Sequence, residues 1–332
     1  MSELRLNLIS REWVVVGSSY DRKPEEFRMR GGGNHYGSEY VESCPFCAGN
    51  ESKTPDELLR LPAEGPWSIR VTPNKFSILD AEGERLRVNK GIKRMVTGVG
   101  RHEVIIESPR HNTTLALMEP HEVERVIGVY RERFQNVFTD TRIQHTIIFK
   151  NHGPQSGTSI SHPHAQLIAA PVMPQQIRFR VDESMRYFDN TGECLMCATL
   201  KDEFEDGRRI VVDTEHYVSF IPYAALSPFH TWIFPKEHKP SFGNMPDDHL
   251  PDLAKCVRLT LKKIHVGLND PSYNLVVRSL SPFRSRSEYI HWYISILPHV
   301  TQATGFELGT GMHINQSIPE EVAVFLQNIK VS

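Results

Sequence analysis

The sequence predicts an α+β protein made of two copies of one large unit. Segments with strand-like alternation and helix-like spacing follow one another in the same order in both halves of the 332-residue chain. Each half also contains a Cys-x-x-Cys pair followed by two widely separated histidines. We therefore infer an internal duplication, with the halves at residues 1–180 and 181–332.

The first half is predicted to contain one long helix among short strands. Residues 4–16 alternate around a polar turn and predict a β-hairpin, whereas 17–43, with its run Gly31-Gly32-Gly33, predict a loop. A helix is expected over 120–138, because Pro120 suits a first turn and apolar residues recur at helical spacing. The predicted strands are 68–72, 102–107, 146–150 and 164–170.

The second half repeats this order. A helix is predicted over 246–267, where leucine, valine and isoleucine share one face, and another over 319–329. The predicted strands are 209–213, 216–221, 230–234, 273–280 and 289–297.

Charge and composition exclude several classes of function. The chain has 38 Lys and Arg residues and 40 Asp and Glu residues. It therefore lacks the excess of basic residues that is typical of nucleic-acid-binding proteins. The first residues lack the pattern of a secretory signal, and no apolar run approaches the roughly 18 residues that a membrane span needs. We expect a cytoplasmic protein with no nucleic-acid or membrane partner.

Cysteine and histidine usage indicates metal binding. Four of the 5 cysteines form the two Cys-x-x-Cys pairs, and a disulfide framework is not expected in a chain of this size without a secretory signal. One such pair could be redox-active or incidental, but here each pair precedes two histidines at similar spacing. Each set of four suits Zn²⁺ in a closed structural site, which predicts two zinc ions per chain. The sets are Cys44, Cys47, His111 and His162 in the first half, and Cys194, Cys197, His238 and His291 in the second.

The segment His162-Pro163-His164-Ala165-Gln166 is a candidate catalytic motif. Residues two apart in a strand face the same way, so a metal on His162 would fix His164 beside it. A neutral imidazole can attack phosphorus, and the Gln166 amide could donate to phosphoryl oxygens as charge builds. His164 could equally be a fifth metal ligand or an ordinary polar strand residue. The Gly-x-Gly elements at 98–100 and 309–311 do not continue into a dinucleotide or phosphate-loop pattern.

This motif resembles the His-x-His-x-Gln signature of the galactose-1-phosphate uridylyltransferase family of the histidine-triad superfamily. The resemblance covers nearly the whole chain, because further family landmarks occur in the same order. They are Cys44-Pro45-Phe46-Cys47, Glu107-Ser108-Pro109-Arg110-His111, Phe149-Lys150-Asn151 and Gly305-Phe306-Glu307.

The resemblance implies a fold, an assembly and residue roles. It implies two histidine-triad-like halves, each an antiparallel sheet with packed helices, and a homodimer whose partner chain contributes to the nucleotide site. His164 would form a covalent nucleotidyl-histidine with Gln166 on the phosphoryl oxygens, and both Cys2His2 sets would hold structural zinc, the second as in plant ADP-glucose phosphorylases. Tyr293 stands where the second half would carry a nucleophile. The implied nucleotide- and phosphate-binding residues are Arg22, Asn74, Asn151, Thr158, Ser159 and Gln166.

Two departures bear on the substrate. Thr158 replaces a cysteine common in uridylyltransferases, and Thr301 replaces a lysine that holds the hexose phosphate. We predict a UDP-glucose:hexose-1-phosphate (galactose-1-phosphate) uridylyltransferase, with a nucleoside diphosphate sugar as donor. One alternative is an adenylyltransferase with phosphate as acceptor: an ADP-glucose phosphorylase, an adenylylsulfate:phosphate adenylyltransferase or a dinucleoside-polyphosphate phosphorylase. An inactive zinc-stabilised nucleotide-binding protein is the alternative of another class.

Overall fold

The computed structural model of the chain describes residues 2–29, 37–283 and 288–331. The strands are β1 (Glu3–Leu6), β2 (Trp13–Val16), β3 (Leu59–Leu61), β4 (Ile69–Pro73), β5 (Arg87–Lys90), β6 (Lys93–Val96), β7 (Arg101–Ile106), β8 (His145–His152), β9 (His164–Ala170), β10 (Ile210–Asp213), β11 (Tyr217–Phe220), β12 (Thr231–Pro235), β13 (Tyr273–Arg278), β14 (Tyr293–Pro298) and β15 (His313–Ile314). The α-helices are α1 (Pro120–Val137), α2 (Gln175–Thr191), α3 (Leu195–Asp206), α4 (Leu250–Leu268), α5 (Gly305–Thr310) and α6 (Pro319–Asn328).

Ten strands form one antiparallel sheet that both halves share. Its order is β3-β4-β7-β9-β8-β13-β14-β12-β11-β10. The first half thus contributes five strands in an order that the second half repeats from the opposite edge, and the two sets meet where β8 pairs with β13. This arrangement confirms the predicted α+β class and agrees with an internal duplication.

One face of the sheet is covered by α1 and α4, which follow β7 and β12 and so occupy equivalent places in the two halves. Helix α1 begins at Pro120 after a capping box between Glu119 and Glu122. Its buried side chains and those of α4 pack with sheet residues such as Ile148 and Leu275 in the main hydrophobic core. The helices therefore leave the opposite face to carry the site.

That opposite face differs between the halves. In the second half, α2 and α3 cover it, and Leu195 and Met196 pack with Trp232, Phe234 and Tyr293 of the sheet. In the first half, a smaller cluster that includes Cys44, Phe46, Cys47 and Trp67 lies over Val104 and Ile106. In the second half, Tyr293, which corresponds to His164 in the first half, is therefore part of an apolar cluster.

The N-terminal hairpin lies against residues of the second half. β15 pairs with β2 in parallel orientation and so adds a third strand to the hairpin. Val14 and Val16 of β2 pack on Ala224. Arg5 is bonded to Glu320 at 2.9 Å. None of the helices in the described ranges is long and apolar enough to cross a lipid bilayer.

Most predicted elements agree with the structure to within a few residues, including the hairpin, both long helices and the strand at 164–170. The strand predicted over 289–297 begins only at Tyr293, so His291 precedes it. His291 and Trp292 bond instead to backbone carbonyls at 237 and 239, which draws this segment away from the ladder. The sequence did not predict α2, α3 or the β5–β6 hairpin. The Gly31-Gly32-Gly33 run lies outside the described residues.

Candidate active site and metal clusters

Four donor atoms of the first half converge in a buried cluster. The ligand atoms of Cys44, Cys47, His111 and His162 all lie within 4.8 Å of one another. Sγ of Cys47 is 3.5 Å from Nδ1 of His111 and 3.6 Å from Nδ1 of His162. Tetrahedral zinc with ordinary Zn–S and Zn–N bonds separates such atoms by about 3.6 Å. The donor set therefore fits a zinc ion and joins residues 118 positions apart in the sequence.

The surroundings of these donors also suit a metal. The Nε2–H of His162 donates to the carbonyl oxygen of Ser108 at 2.7 Å, and Nε2 of His111 lies 2.9 Å from the Ser161 hydroxyl. Such bonds leave Nδ1 of each ring for a metal and fix the ring orientation. Burial lowers the pKa of His162 to about 3, so its ring is held in the neutral form that binds metals.

A second cluster lies in the other half, at the start of α3. The ligand atoms of Cys194, Cys197 and His238 lie within 4.8 Å of one another. Nδ1 of His291 is 3.9 Å from Sγ of Cys197, slightly farther than the 3.2 Å that separates this sulfur from Nδ1 of His238. The Nε2–H of His291 donates to the carbonyl of Glu237. Three donors are thus assembled, and the fourth predicted ligand lies beside them.

His164 is the first residue of β9 and is held apart from the metal cluster. Its Nδ1–H donates to the carbonyl oxygen of His162 at 2.8 Å, and its ring packs edge-on against Phe46. This bond places the unprotonated lone pair of a neutral ring on Nε2. Burial lowers the pKa of His164, which favours that neutral form. The ring can therefore act as a nucleophile through Nε2.

A buried ion pair supports the backbone at His164. Nζ of Lys150 lies 2.6 Å from Oε2 of Glu107 and donates to the carbonyl oxygen of His164 at 3.3 Å. The Tyr130 hydroxyl donates to the other carboxylate oxygen of Glu107. Lys150 and Glu107 were not predicted as site residues, although a lysine at the end of an apolar strand pattern indicates a buried charge that needs a partner.

Gln166 and Asn74, both predicted site residues, lie together beside His164. Gln166 is two residues along β9 and so shares the face of His164. Its Oε1 accepts from Asn74 at 3.4 Å and lies 2.8 Å from Nε2 of His102, which is also 2.9 Å from the amide nitrogen of Asn74. His102 was not predicted as a site residue.

Asn151 comes to the same place from the neighbouring strand. In the register of β8 on β9, Phe149 is opposite Gln166, and two residues further along the strands are Asn151 and His164. Asn151 also faces Asn274 of β13, which was not predicted. Thr158 and Ser159 lie in the loop between β8 and β9, where the Thr158 hydroxyl donates to the carbonyl of Ile160.

Arg22 lies elsewhere in the chain. Its guanidinium packs on the ring of Phe27 and donates to the carbonyl of Glu26, and its backbone N–H bonds to Gln316. Phe27 belongs to the core on the helix-covered face of the sheet. Within one chain, these contacts are distinct from those around His164.

The chain is similar to known proteins over its whole length. A family model described as "Galactose-1-phosphate uridyl transferase, N-terminal domain" matches residues 1–174, and its C-terminal counterpart matches residues 180–316. An ADP-glucose phosphorylase of Arabidopsis thaliana is 33% identical over 336 residues, which cover 99% of this chain and 93% of that protein. A galactose-1-phosphate uridylyltransferase of Thermotoga maritima is 24% identical over 340 residues, with 100% and 99% covered.

Solved structures show the same relationship. The crystal structure of an Arabidopsis thaliana ADP-glucose phosphorylase with bound ADP-glucose has a TM-score of 0.83 at 29% identity and covers 100% of both chains. A uridylyltransferase structure with a TM-score of 0.75 at 21% identity, covering 98% of this chain and 97% of that one, shows the shared fold.

Fold, site and similarity together define the class of protein, a nucleotidyltransferase. Within that class, the chain belongs to the galactose-1-phosphate uridylyl transferase family. The resemblance inferred from the His-x-His-x-Gln motif is thereby confirmed.

Proposed function

We propose that the protein transfers a nucleotidyl group through a covalent intermediate on His164. The observation that carries this proposal is the pairing of the Nδ1–H of His164 with the carbonyl of His162, which leaves the lone pair of a neutral ring on Nε2. Asn151 and Gln166 on the same sheet face are suited to bind the phosphoryl oxygens.

The chemistry is a double displacement. The Nε2 lone pair attacks the α-phosphorus of a nucleoside diphosphate sugar, the P–O bond to the leaving phosphate breaks, and the sugar 1-phosphate departs. A phosphate oxygen of the acceptor then attacks the same phosphorus and the N–P bond breaks, which regenerates neutral His164. Gln166 and Asn151 hold the phosphoryl group in both steps.

For the donor, we favour an adenylyl over a uridylyl sugar. The comparisons fit both the predicted uridylyltransferase and its adenylyl alternative, but identity is 33% to the ADP-glucose phosphorylase against 24% to the Thermotoga uridylyltransferase. We propose ADP-glucose as donor and inorganic phosphate as acceptor, with UDP-glucose and galactose 1-phosphate as the second candidate pair.

We further propose that both Cys/His clusters hold zinc, with His291 as the fourth ligand of the second cluster. Closed sets of four protein ligands stabilise structure and leave no position for substrate. The first ion would then fix the segment that carries His162 and so the start of β9.

The proposed reaction is tested by intact-protein mass spectrometry after mixing with ADP-glucose, UDP-glucose or adenylylsulfate, each without acceptor. We expect an AMP-sized adduct that maps to His164, is absent in His164→Asn and disappears on addition of phosphate with release of ADP. A UMP-sized adduct formed faster would assign the uridylyl function. The absence of any adduct, together with an active His164→Asn protein, would exclude covalent transfer.

We also propose a homodimer in which Arg22 of one chain serves the nucleotide site of the other. The position of Arg22 away from His164 within its own chain supports this arrangement. Mixing inactive Arg22→Ala and His164→Asn proteins should restore activity, because one of the two sites in a mixed dimer is then intact. A fully active monomer in light scattering would refute the proposal.

A further inference from the structure

The two amide side chains beside His164 are bonded through their oxygens only. Within the described part of the chain, the side-chain oxygens of Asn151 and Gln166 accept hydrogen bonds, whereas neither NH2 group has an acceptor. An amide can present either its oxygen or its nitrogen to a ligand. The groups that bond to these oxygens therefore determine whether the amides present their NH2 groups or their oxygens to the reacting phosphoryl group.

The orientation of Gln166 follows from Asn74. Oδ1 of Asn74 accepts from the N–H of Phe76 at 2.9 Å, so the Asn74 group that faces Gln166 is its NH2. This NH2 lies 2.9 Å from Nε2 of His102 and donates to Oε1 of Gln166 at 3.4 Å, which leaves the Gln166 NH2 group free.

The orientation of Asn151 follows from a backbone carbonyl. The carbonyl oxygen of Ser156 can only accept, so the group 3.1 Å from it on Asn274 is the NH2. The same NH2 donates to Oδ1 of Asn151 at 2.8 Å, and Oδ1 of Asn274 accepts from Nε2–H of His299 at 2.5 Å. Asn274 lies on β13 and His299 follows β14, so the second half sets the polarity of a group beside the nucleophile.

We infer that Asn274 is a positioning residue for nucleotidyl transfer, which holds Asn151 with its NH2 group toward the α-phosphoryl oxygens. The inference rests on the proposed function of His164. Negative charge grows on those oxygens in the transition state, where fixed donors stabilise more than in the ground state. A reversed amide would instead direct its own oxygen at them.

Asn274→Asp tests this with almost no change of shape. The carboxylate cannot donate to Asn151 and accepts from its NH2, which turns the Asn151 oxygen toward the phosphoryl group. We expect the rate of adduct formation at His164 to fall about 10- to 100-fold, somewhat less than the loss of an oxyanion donor itself. In an Asn151→Ala background the same substitution should cost less than about twofold, because coupled residues are not additive. Asn89→Asp in the exposed β5 strand controls for the added charge. Thermal unfolding of each variant identifies any that fail to fold.

The outcomes separate the inference from the proposed function. If Asn274→Asp reacts at the wild-type rate, or if its loss persists in full in the Asn151→Ala background, the positioning role is wrong and covalent transfer stands. If the wild-type protein forms no adduct at His164, both are wrong.

Discussion

At the scale of single residues, the charged pair beneath His164 explains how a buried lysine is tolerated. The side chains of Lys150 and Glu107 are almost fully buried, and each satisfies the other. Tyr130 adds a second bond to the carboxylate, and the His164 carbonyl accepts from the ammonium. Such pairs add little net stability, but loss of one partner leaves an uncompensated charge in the interior.

Lys150→Met should therefore lower the free energy of unfolding by about 3–5 kcal/mol, because Glu107 is left buried and unpaired. The double variant Lys150→Met/Glu107→Gln should recover much of this loss, since a neutral amide still accepts from Tyr130. Urea unfolding of the single and double variants measures the effect. Equal losses in both would show that the lysine acts through packing and not through charge.

His145 at the start of β8 gives the fold a pH-dependent stability. Burial lowers the pKa of His145 to about 4, with the Arg278 charge as a second cause. Below pH 6.5 the unfolded chain binds a proton that the folded chain does not, so stability falls as the pH drops from about 6.5 toward 4.

His145→Gln should flatten this pH dependence by up to about 1.4 kcal/mol per pH unit. Urea unfolding at pH 7, 6 and 5 compares the slopes, and His121→Gln at the exposed start of α1 is the matched control. A slope unchanged in His145→Gln would contradict the assignment.

At the scale of elements, the second glycine of Gly98-Val99-Gly100 sets how closely β7 approaches β9. A Cβ on Gly100 would lie 2.2 Å from the carbonyl oxygen of Ala169 and 2.7 Å from the Leu79 side chain. Arg101 pairs directly with Ala169 in the register that follows. This glycine serves strand packing, in agreement with the absence of a phosphate-loop pattern.

Gly100→Ala should destabilise the protein by about 1–3 kcal/mol, because β7 must move away from the Ala169 carbonyl. Gly98→Ala is the matched control, since its Cβ would meet only Leu79 at 3.9 Å. Thermal unfolding distinguishes them. A Gly100→Ala protein as stable as Gly98→Ala would contradict the close approach.

At the scale of the whole molecule, one sheet joins the half that carries His164 to a half with Tyr293 in the corresponding position. The Cys/His clusters lie in separate halves, and only the first is adjacent to His164 through His162. The second half still acts on the site, through Asn274 at the β8–β13 junction.

Metal analysis should find about two zinc ions per chain. Cys44→Ser should lose one ion and also impair adduct formation, because His162 loses its anchor two residues from His164. Cys194→Ser should lose the other ion and some stability, while adduct formation continues. A single ion in the wild-type protein would refute the second zinc site.

The sequence by itself determined the α+β class, the long helices, the duplicated order of strands and the family, because periodicity and the spacing of Cys, His and Gln are local signals. It did not predict α2, whose polar composition hides the apolar side that packs on the second half of the sheet, or α3, which begins directly after Cys194 of the second Cys-x-x-Cys pair. Only the tertiary structure placed Arg22 away from His164 and brought His102 to Gln166 and Asn274 to Asn151. Those contacts join residues 64 and 123 positions apart. They depend on strand register and on the hydrogen-bonding polarity of distant backbone groups, which no local pattern encodes.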